Sequence, residues 1–195
     1  MLSKKYLVVE PHPDDFILMF GGTAARASKE GRVYVITLTG GGQAASSSAQ
    51  DSRLKEKRKT ESQIVDEILG TTERVILPYD TRKIWDNSSC VYNDMMRLIR
   101  YYAPDVVVAT FNDRRHPDHM WLAEFIEPLL YQVGENIRLE EFGPPVFPLL
   151  WYGENPRAQF QYPNIFIDIT DSMEKKTRAL ESQTSQIPIL GEHIS

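Results

Sequence analysis

Short apolar runs alternate with helical patterns along this chain, and no other feature of the sequence restricts its fold as much. Six runs have the length and β-branched content of strands: residues 6–9, 33–38, 74–77, 106–109, 149–152 and 165–169. Stretches with helical spacing and glycine or proline punctuation lie between them: 17–29, 54–69, 91–102 and 122–129. Strand, helix and strand in repetition predict an α/β fold, a mainly parallel sheet with helices on both faces.

Length and composition indicate one globular domain, which we expect to span residues 1–195. Of the 195 residues, 42% are hydrophobic and 25% charged, and no stretch resembles an inter-domain linker. The net charge of −5 leaves no basic face for nucleic acid or an anionic membrane. The single cysteine excludes an intrachain disulfide, the first apolar run is too short for a signal peptide, and no run approaches a membrane span. We therefore expect a cytoplasmic protein that binds no nucleic acid.

Two clusters of histidine and aspartate follow two of the predicted strands. Pro-His-Pro-Asp-Asp occupies residues 11–15, after the first strand, and His-Pro-Asp-His occupies residues 116–119, after the fourth. Together they hold three of the four histidines in the chain. Because ligands of open α/β sheets bind beyond the carboxyl ends of the strands, we expect the two clusters to meet in one site.

These residue types are suited to a catalytic metal. Imidazole nitrogens and carboxylate oxygens bind catalytic zinc, which keeps three protein ligands and an open position for water. His12 and Asp15 would supply two ligands, and His116 or His119 the third; spacing does not choose between them. Asp14 and the remaining histidine would then serve as general base and electrophilic helper. In the alternative interpretation, Asp15 is only the N-cap of the following helix.

Taken in order, the motifs resemble the LmbE-like, or PIG-L, family of zinc-dependent N-deacetylases, and the resemblance covers nearly the whole chain. The segments that carry it are Pro-His-Pro-Asp-Asp (11–15), Gly-Gly-Thr (21–23), Arg-x-x-Glu (58–61), Leu-Gly (69–70), Pro-Asp-Val-Val (104–107), His-Pro-Asp-His (116–119), Phe-Ile-Asp-Ile-Thr (166–170), Glu-Lys-Lys (174–176) and Ser-Gln (185–186). The resemblance implies a Rossmann-like fold. It also implies hydrolysis of the N-acetyl group of an N-acetylglucosamine-type conjugate.

Carried over position by position, the resemblance also implies roles for individual residues. It implies that three side chains bind Zn²⁺: His12, Asp15 and His119. It implies that Asp14 is the general base toward metal-bound water and that His116 stabilises the oxyanion. Arg58 matches an arginine that the family places near the substrate, so the resemblance implies a substrate contact for it. The implied partner is a small-molecule amino-sugar conjugate, with a homo-oligomer as an open option.

Two positions depart from the family pattern. Phe16 stands where the family usually has glutamate, and Gln183 stands where it commonly has histidine. Neither change removes an implied ligand, but the first removes a supporting contact. Two alternatives keep an enzyme: hydrolysis of another small amide at the same site, or another divalent metal such as iron or manganese. The two departures add a third, a degenerate homologue that binds a sugar conjugate or a partner protein without catalysis.

Overall fold

The computed structural model describes residues 4–42, 48–112, 114–154 and 163–187, and a five-stranded parallel sheet forms its centre. The strands are β1 (Lys5–Glu10), β2 (Arg32–Thr39), β3 (Glu73–Tyr79), β4 (Val106–Thr110) and β5 (Leu149–Gly153). Their order is β3-β2-β1-β4-β5, and every neighbouring pair is parallel. In the register, Val8 of β1 lies between Val35 of β2 and Val108 of β4. The α/β prediction and its first five strands are confirmed.

Six α-helices connect and cover the strands within the described residues. They are α1 (Asp15–Ala27), α2 (Ser48–Leu69), α3 (Ser88–Tyr102), α4 (Pro117–Val133), the single turn α5 (Leu139–Phe142) and α6 (Met173–Ser182). Helix α2 ends at the predicted glycine because Gly70 adopts a φ of +76° while its N–H and that of Thr71 bond the Asp66 carbonyl. No helix among the described ranges is long and apolar enough to cross a bilayer.

The alternating side chains of the strands build a core on each face of the sheet. Tyr6, Val8 and Val35 pack with helices α1, α2 and α6 on one face. Leu7, Val9 and other strand residues pack with α3 and α4 on the other. Because both faces are covered, the strands consist almost entirely of apolar residues. The structure is a single three-layer domain of the Rossmann-like type.

The run at 165–169 does not form the sixth strand that its composition predicts. Within the described part of the chain it has no ladder partner, and Phe166 is 83% exposed. The segment is held by α1 instead. Ile169 packs so closely on Gly22 that a Cβ there would collide with it, and the Ser172 hydroxyl donates to the Gly22 carbonyl at 2.7 Å. These contacts to a helix replace the ladder hydrogen bonds that a sixth strand would make.

The strand order determines where the two polar clusters lie. From β1 the chain leads to β2 on one side, whereas β4 pairs with β1 on the other side. The connections leaving β1 and β4 therefore diverge and open a crevice at the carboxyl edge of the sheet. Residues 11–14 occupy one side of this crevice, and residues 111–112 and 114–116 occupy the other.

Candidate active site

The loop after β1 directs two side chains of the first cluster toward each other. Asp15 is the first residue of α1, and its Oδ2 accepts a hydrogen bond from the His12 backbone N–H at 3.1 Å. Asp14 holds the N-cap position but makes no side-chain cap hydrogen bond among the described residues. The interpretation of Asp15 as a simple N-cap is therefore wrong, because its carboxylate turns back into the loop.

The loop after β4 presents the second cluster from the start of α4. His116 is the N-cap of this helix, and its Nδ1 accepts from the Asp118 N–H at 3.3 Å. Pro117 follows at the first helical position, where a missing N–H costs nothing. One turn into the helix, His119 is buried and reaches the first cluster.

Three side chains from the two loops form a small triangle of possible ligand atoms. His119 Nε2 lies 3.2 Å from His12 Nδ1 and 3.1 Å from Asp15 Oδ2. The third side, from His12 Nδ1 to Asp15 Oδ2, measures 3.3 Å. Ligands placed tetrahedrally at ordinary zinc distances are about 3.3 Å apart. The triangle therefore has the chemistry and the size that a divalent metal requires.

His116 is a neighbour of this triangle. One ring nitrogen from each of His12, His116 and His119 lies within 4.8 Å of the other two, so the three histidines could also hold a metal. The His116 ring meets His12 edge-on at 4.5 Å between centroids, and it is less buried than the other two. The set with Asp15 has sides of 3.1 to 3.3 Å, so the structure offers two candidate ligand sets that share His12 and His119.

Asp118 is a site residue that the sequence analysis missed. It is fully buried, and its Oδ2 lies 2.9 Å from His12 Nε2. Both of its oxygens also accept from the Arg82 N–H, at 3.0 and 2.9 Å. A carboxylate that bonds one nitrogen of a metal-binding histidine fixes the ring orientation, so that the other nitrogen can bind the metal. The signal was inside the motif, since Asp118 separates the two histidines of residues 116–119.

The carboxylates and rings shift one another's pKa values. Burial by itself would raise the pKa of the Asp15 carboxyl, but His119 and His12 outweigh burial and hold it well below its ordinary value. Burial, together with the charges of His12 and His119, lowers the pKa of His116 to about 4. At neutral pH, Asp15 is therefore an anion and His116 a neutral ring. Since its Nδ1 accepts from a backbone N–H, the His116 proton belongs on Nε2.

Arg58 reaches the site from α2 and bonds groups of two other loops. Its Nη2 donates to Asp14 Oδ1 in a close ion pair, and its Nη1 donates to the Gly41 carbonyl at 2.8 Å. Gly41 has a φ of +64°, and a Cβ there would collide with the guanidinium. The structure thus joins Arg58 to Asp14 and orients that carboxylate, a relationship that the motif did not predict. Its contact with substrate stays a prediction.

The two departures from the family pattern are both buried. Phe16 is fully buried in the core between α1 and the sheet. Gln183 is also fully buried, and its side-chain amide has no hydrogen-bond partner among the described residues. Beside it, the Ser185 N–H and hydroxyl donate to Glu61 at 2.9 and 2.6 Å. The late Ser-Gln motif therefore docks on α2, one turn from Arg58.

Sequence comparison identifies relatives of this chain. The family model described as PIG-L, GlcNAc-PI de-N-acetylase, matches residues 7–130. Diacetylchitobiose deacetylase of Thermococcus kodakarensis is 29% identical over an alignment 199 positions long, which covers 95% of this chain and 71% of that protein.

Solved structures agree with the fold. N,N'-diacetylchitobiose deacetylase from Pyrococcus horikoshii, in complex with its inhibitor MPG, matches with a TM-score of 0.78 and 25% identity over 94% of this chain and 70% of that chain. The 4-carboxy-2-hydroxymuconate hydratase GalB of Pseudomonas putida matches with a TM-score of 0.75 and 20% identity, over 94% of this chain and 80% of that one. Since that protein is a hydratase, likeness of fold alone does not specify a reaction.

Proposed function

This chain belongs to the PIG-L (GlcNAc-PI de-N-acetylase) family, which makes it a deacetylase, and on that premise we propose that it removes the acetyl group from an N-acetylglucosamine-type conjugate. The products would be acetate and the free amine. The related deacetylases from T. kodakarensis and P. horikoshii, which are named for diacetylchitobiose, support an acetylated amino sugar as substrate.

The observation that carries the proposal is the triangle of His12 Nδ1, Asp15 Oδ2 and His119 Nε2, with sides of 3.1 to 3.3 Å. These three residues would hold a divalent metal, and two nitrogens with one oxygen suit zinc without excluding iron or manganese. The metal would supply Lewis acidity toward water and the acetyl carbonyl. Asp118 would keep the His12 ring in its orientation.

Asp14 is proposed as the general base. It is adjacent to Asp15 but outside the triangle, and its side chain is partly exposed, so water and substrate can reach it. Arg58 holds one of its oxygens and leaves the other to accept a proton from the attacking water. The carbon–nitrogen bond then breaks, and the same proton passes from Asp14 to the departing amine.

His116 is proposed to stabilise the negative charge that develops on the acetyl oxygen. Its ring is partly exposed beside the triangle and neutral at physiological pH, with the proton placed on Nε2. A neutral N–H donor at that position can bond the oxyanion. This role differs from that of a ligand, and it separates His116 from His119.

The experiment is an assay of amine release joined to metal analysis. The purified protein is stripped with a chelator and reloaded with Zn²⁺, Fe²⁺ or Mn²⁺, each at one equivalent. Each form is then incubated with N-acetylglucosamine, with N,N'-diacetylchitobiose and with an N-acetyl amino acid as a non-sugar amide. Free amine and acetate are measured in equal amounts if the reaction is the proposed hydrolysis.

We expect metal-dependent release from the acetylated sugars and none from the N-acetyl amino acid. Release from the amino acid alone would replace the proposal with hydrolysis of another small amide. Stoichiometric metal binding without release from any compound would support a binding protein without catalysis. The variant Arg97→Met alters an exposed ion pair. It is the matched control for activity lost during purification, stripping and reloading.

A further inference from the structure

Glu10 is a buried carboxylate that the proposed reaction does not use. It is the last residue of β1, it is fully buried, and three donors surround its two oxygens. The Phe16 N–H donates to Oε2 at 2.6 Å, and the Thr37 hydroxyl donates to Oε1 at 2.6 Å. The Arg74 guanidinium forms a close ion pair with the same Oε1. A charge buried this completely is costly unless it is paired, so its position requires an explanation.

The Phe16 contact closes the loop that carries the site. Residues 11–15 lie between Glu10 and Phe16, so a single hydrogen bond ties the two ends of this segment together. The first N–H groups of a helix lack partners inside it, and the N-cap side chain commonly accepts one of them. Asp14 does not do so. Glu10 does it from the strand, which leaves the Asp14 carboxylate to Arg58 and the site.

Arg74 fixes Glu10 to the rest of the fold. Its side chain is 4% exposed, and it also donates to both oxygens of Asp66 on α2, from Nε at 2.8 Å and from Nη2 at 2.9 Å. Asp66, Arg74 and Glu10 thus connect α2, β3 and the end of β1. Since Thr37 belongs to β2, the carboxylate is held from three sides.

We propose that Glu10 is a positioning residue of the metal site, whose carboxylate holds residues 11–15 in the conformation that brings His12 and Asp15 to the triangle with His119. The inference rests on the metal site of the proposed function. It does not rest on the reaction or on the substrate, because its test measures the affinity of the site for Zn²⁺.

The neighbour of Arg74 supplies a stringent test. The Phe16 ring lies 5.3 Å from the guanidinium carbon of Arg74, so a side chain at position 16 reaches the same cation. A glutamate at position 16 could therefore pair with Arg74 from inside the first turn of α1. If Glu10 acts by tying this turn to Arg74, a carboxylate moved from position 10 to position 16 should restore the site.

The experiment measures the Zn²⁺ dissociation constant by competition with a chelating dye, together with the melting temperature of each protein without metal. The variants are Glu10→Ala, Phe16→Glu and the double variant, with Asp66→Asn as the matched control. Asp66→Asn disturbs the same arginine without touching the loop. If the role of Glu10 were purely structural, Glu10→Ala and Asp66→Asn would weaken Zn²⁺ binding equally.

We expect Glu10→Ala to weaken Zn²⁺ binding by at least about tenfold, and Asp66→Asn to weaken it by less than threefold at a comparable loss of melting temperature. The double variant should recover most of the affinity, although Phe16→Glu alone places two carboxylates at one cation and should not improve it. Equal weakening by Glu10→Ala and Asp66→Asn, or no recovery in the double variant, would overturn the proposal.

If Glu10→Ala does not fold, Glu10→Gln replaces it in the comparison with Asp66→Asn. Glutamine keeps an oxygen for one donor and loses the charge. It should weaken Zn²⁺ binding by about threefold or more, and unchanged affinity would overturn the proposal. The outcome is independent of the reaction: a wild-type protein that binds Zn²⁺ but releases no amine refutes the proposed function and leaves this test intact.

Discussion

The Nε2 atom of His12 lies 2.9 Å from a carboxylate oxygen of Asp118, although the two residues are 106 positions apart in the sequence. The contact exists because β1 and β4 are neighbours and both loops leave the same edge of the sheet. It determines which nitrogen of His12 is available. With Nε2 bonded to a buried carboxylate, Nδ1 faces Asp15 and His119.

Replacing this carboxylate should weaken metal binding. In Asp118→Asn the shape is kept but the negative charge behind His12 is lost, and we expect Zn²⁺ affinity to fall by about 10- to 100-fold. Competition with a chelating dye measures it. Asp105→Asn, which removes a carboxylate bonded to the Lys5 N–H at the opposite edge of the sheet, is the control. Equal affinity of the two variants would argue against a supporting role for Asp118.

Asp14 and His119 should separate turnover from metal content. Asp14→Asn keeps all three atoms of the triangle, so we expect full zinc content and a fall in kcat of about 10²- to 10⁴-fold. His119→Ala removes one ligand, so metal should be lost together with activity. Metal analysis and kcat on the same samples distinguish the two. An Asp14→Asn enzyme that runs at the wild-type rate would exclude Asp14 as the base.

The role of His116 can be tested in the same way. Removing the ring in His116→Ala should lower kcat by about 10²- to 10³-fold, as expected for loss of one oxyanion donor. Metal content should remain close to that of the wild type. Loss of zinc in this variant would instead identify His116 as a ligand, as the grouping of the three histidine rings allows.

Arg58 should act on catalysis through Asp14. A lysine keeps the charge but cannot bond both the Asp14 carboxylate and the Gly41 carbonyl with a planar fork. For Arg58→Lys we therefore expect kcat to fall by up to about 100-fold with metal affinity unchanged. Steady-state kinetics distinguish this orienting role of Arg58 from a direct contact with substrate. A rise in KM at constant kcat would mean that Arg58 binds substrate and does not orient the base.

Arg100 is expected to be important for stability alone. It is buried, and its guanidinium donates to five backbone carbonyls around the end of α4: Gln132, Val133, Glu135, Ile137 and Gly143. Arg100→Met leaves these carbonyls without their donor and should lower the free energy of unfolding by roughly 3 kcal/mol.

For a domain of this size, that loss corresponds to about 6 to 12 °C in melting temperature. Arg97→Met, three residues earlier on the exposed face of the same helix, should cost less than about 1 kcal/mol. Thermal unfolding followed by circular dichroism compares the two. Similar losses in both variants would contradict the assignment of Arg100 as a structural residue.

The sequence by itself determined the layered fold and the place of the site. Strand periodicity, helix punctuation and two polar clusters after apolar runs depend on local chemistry, so five strands and the meeting of His12 with His119 could be predicted. The strand predicted at 165–169 was wrong, because an apolar pattern does not specify which element a segment packs against. Here the partner is α1 at Gly22.

Only the tertiary structure decided how the polar groups share their partners. Asp14 and Asp15 are neighbours of the same type, yet one pairs with Arg58 from α2 and the other with two histidine rings. Glu10 and Asp118 were not selected from the sequence, because their roles depend on donors far away in the chain. Hydrogen bonds act over about 3 Å, and which groups come that close is determined by packing between elements, not by the order of residues.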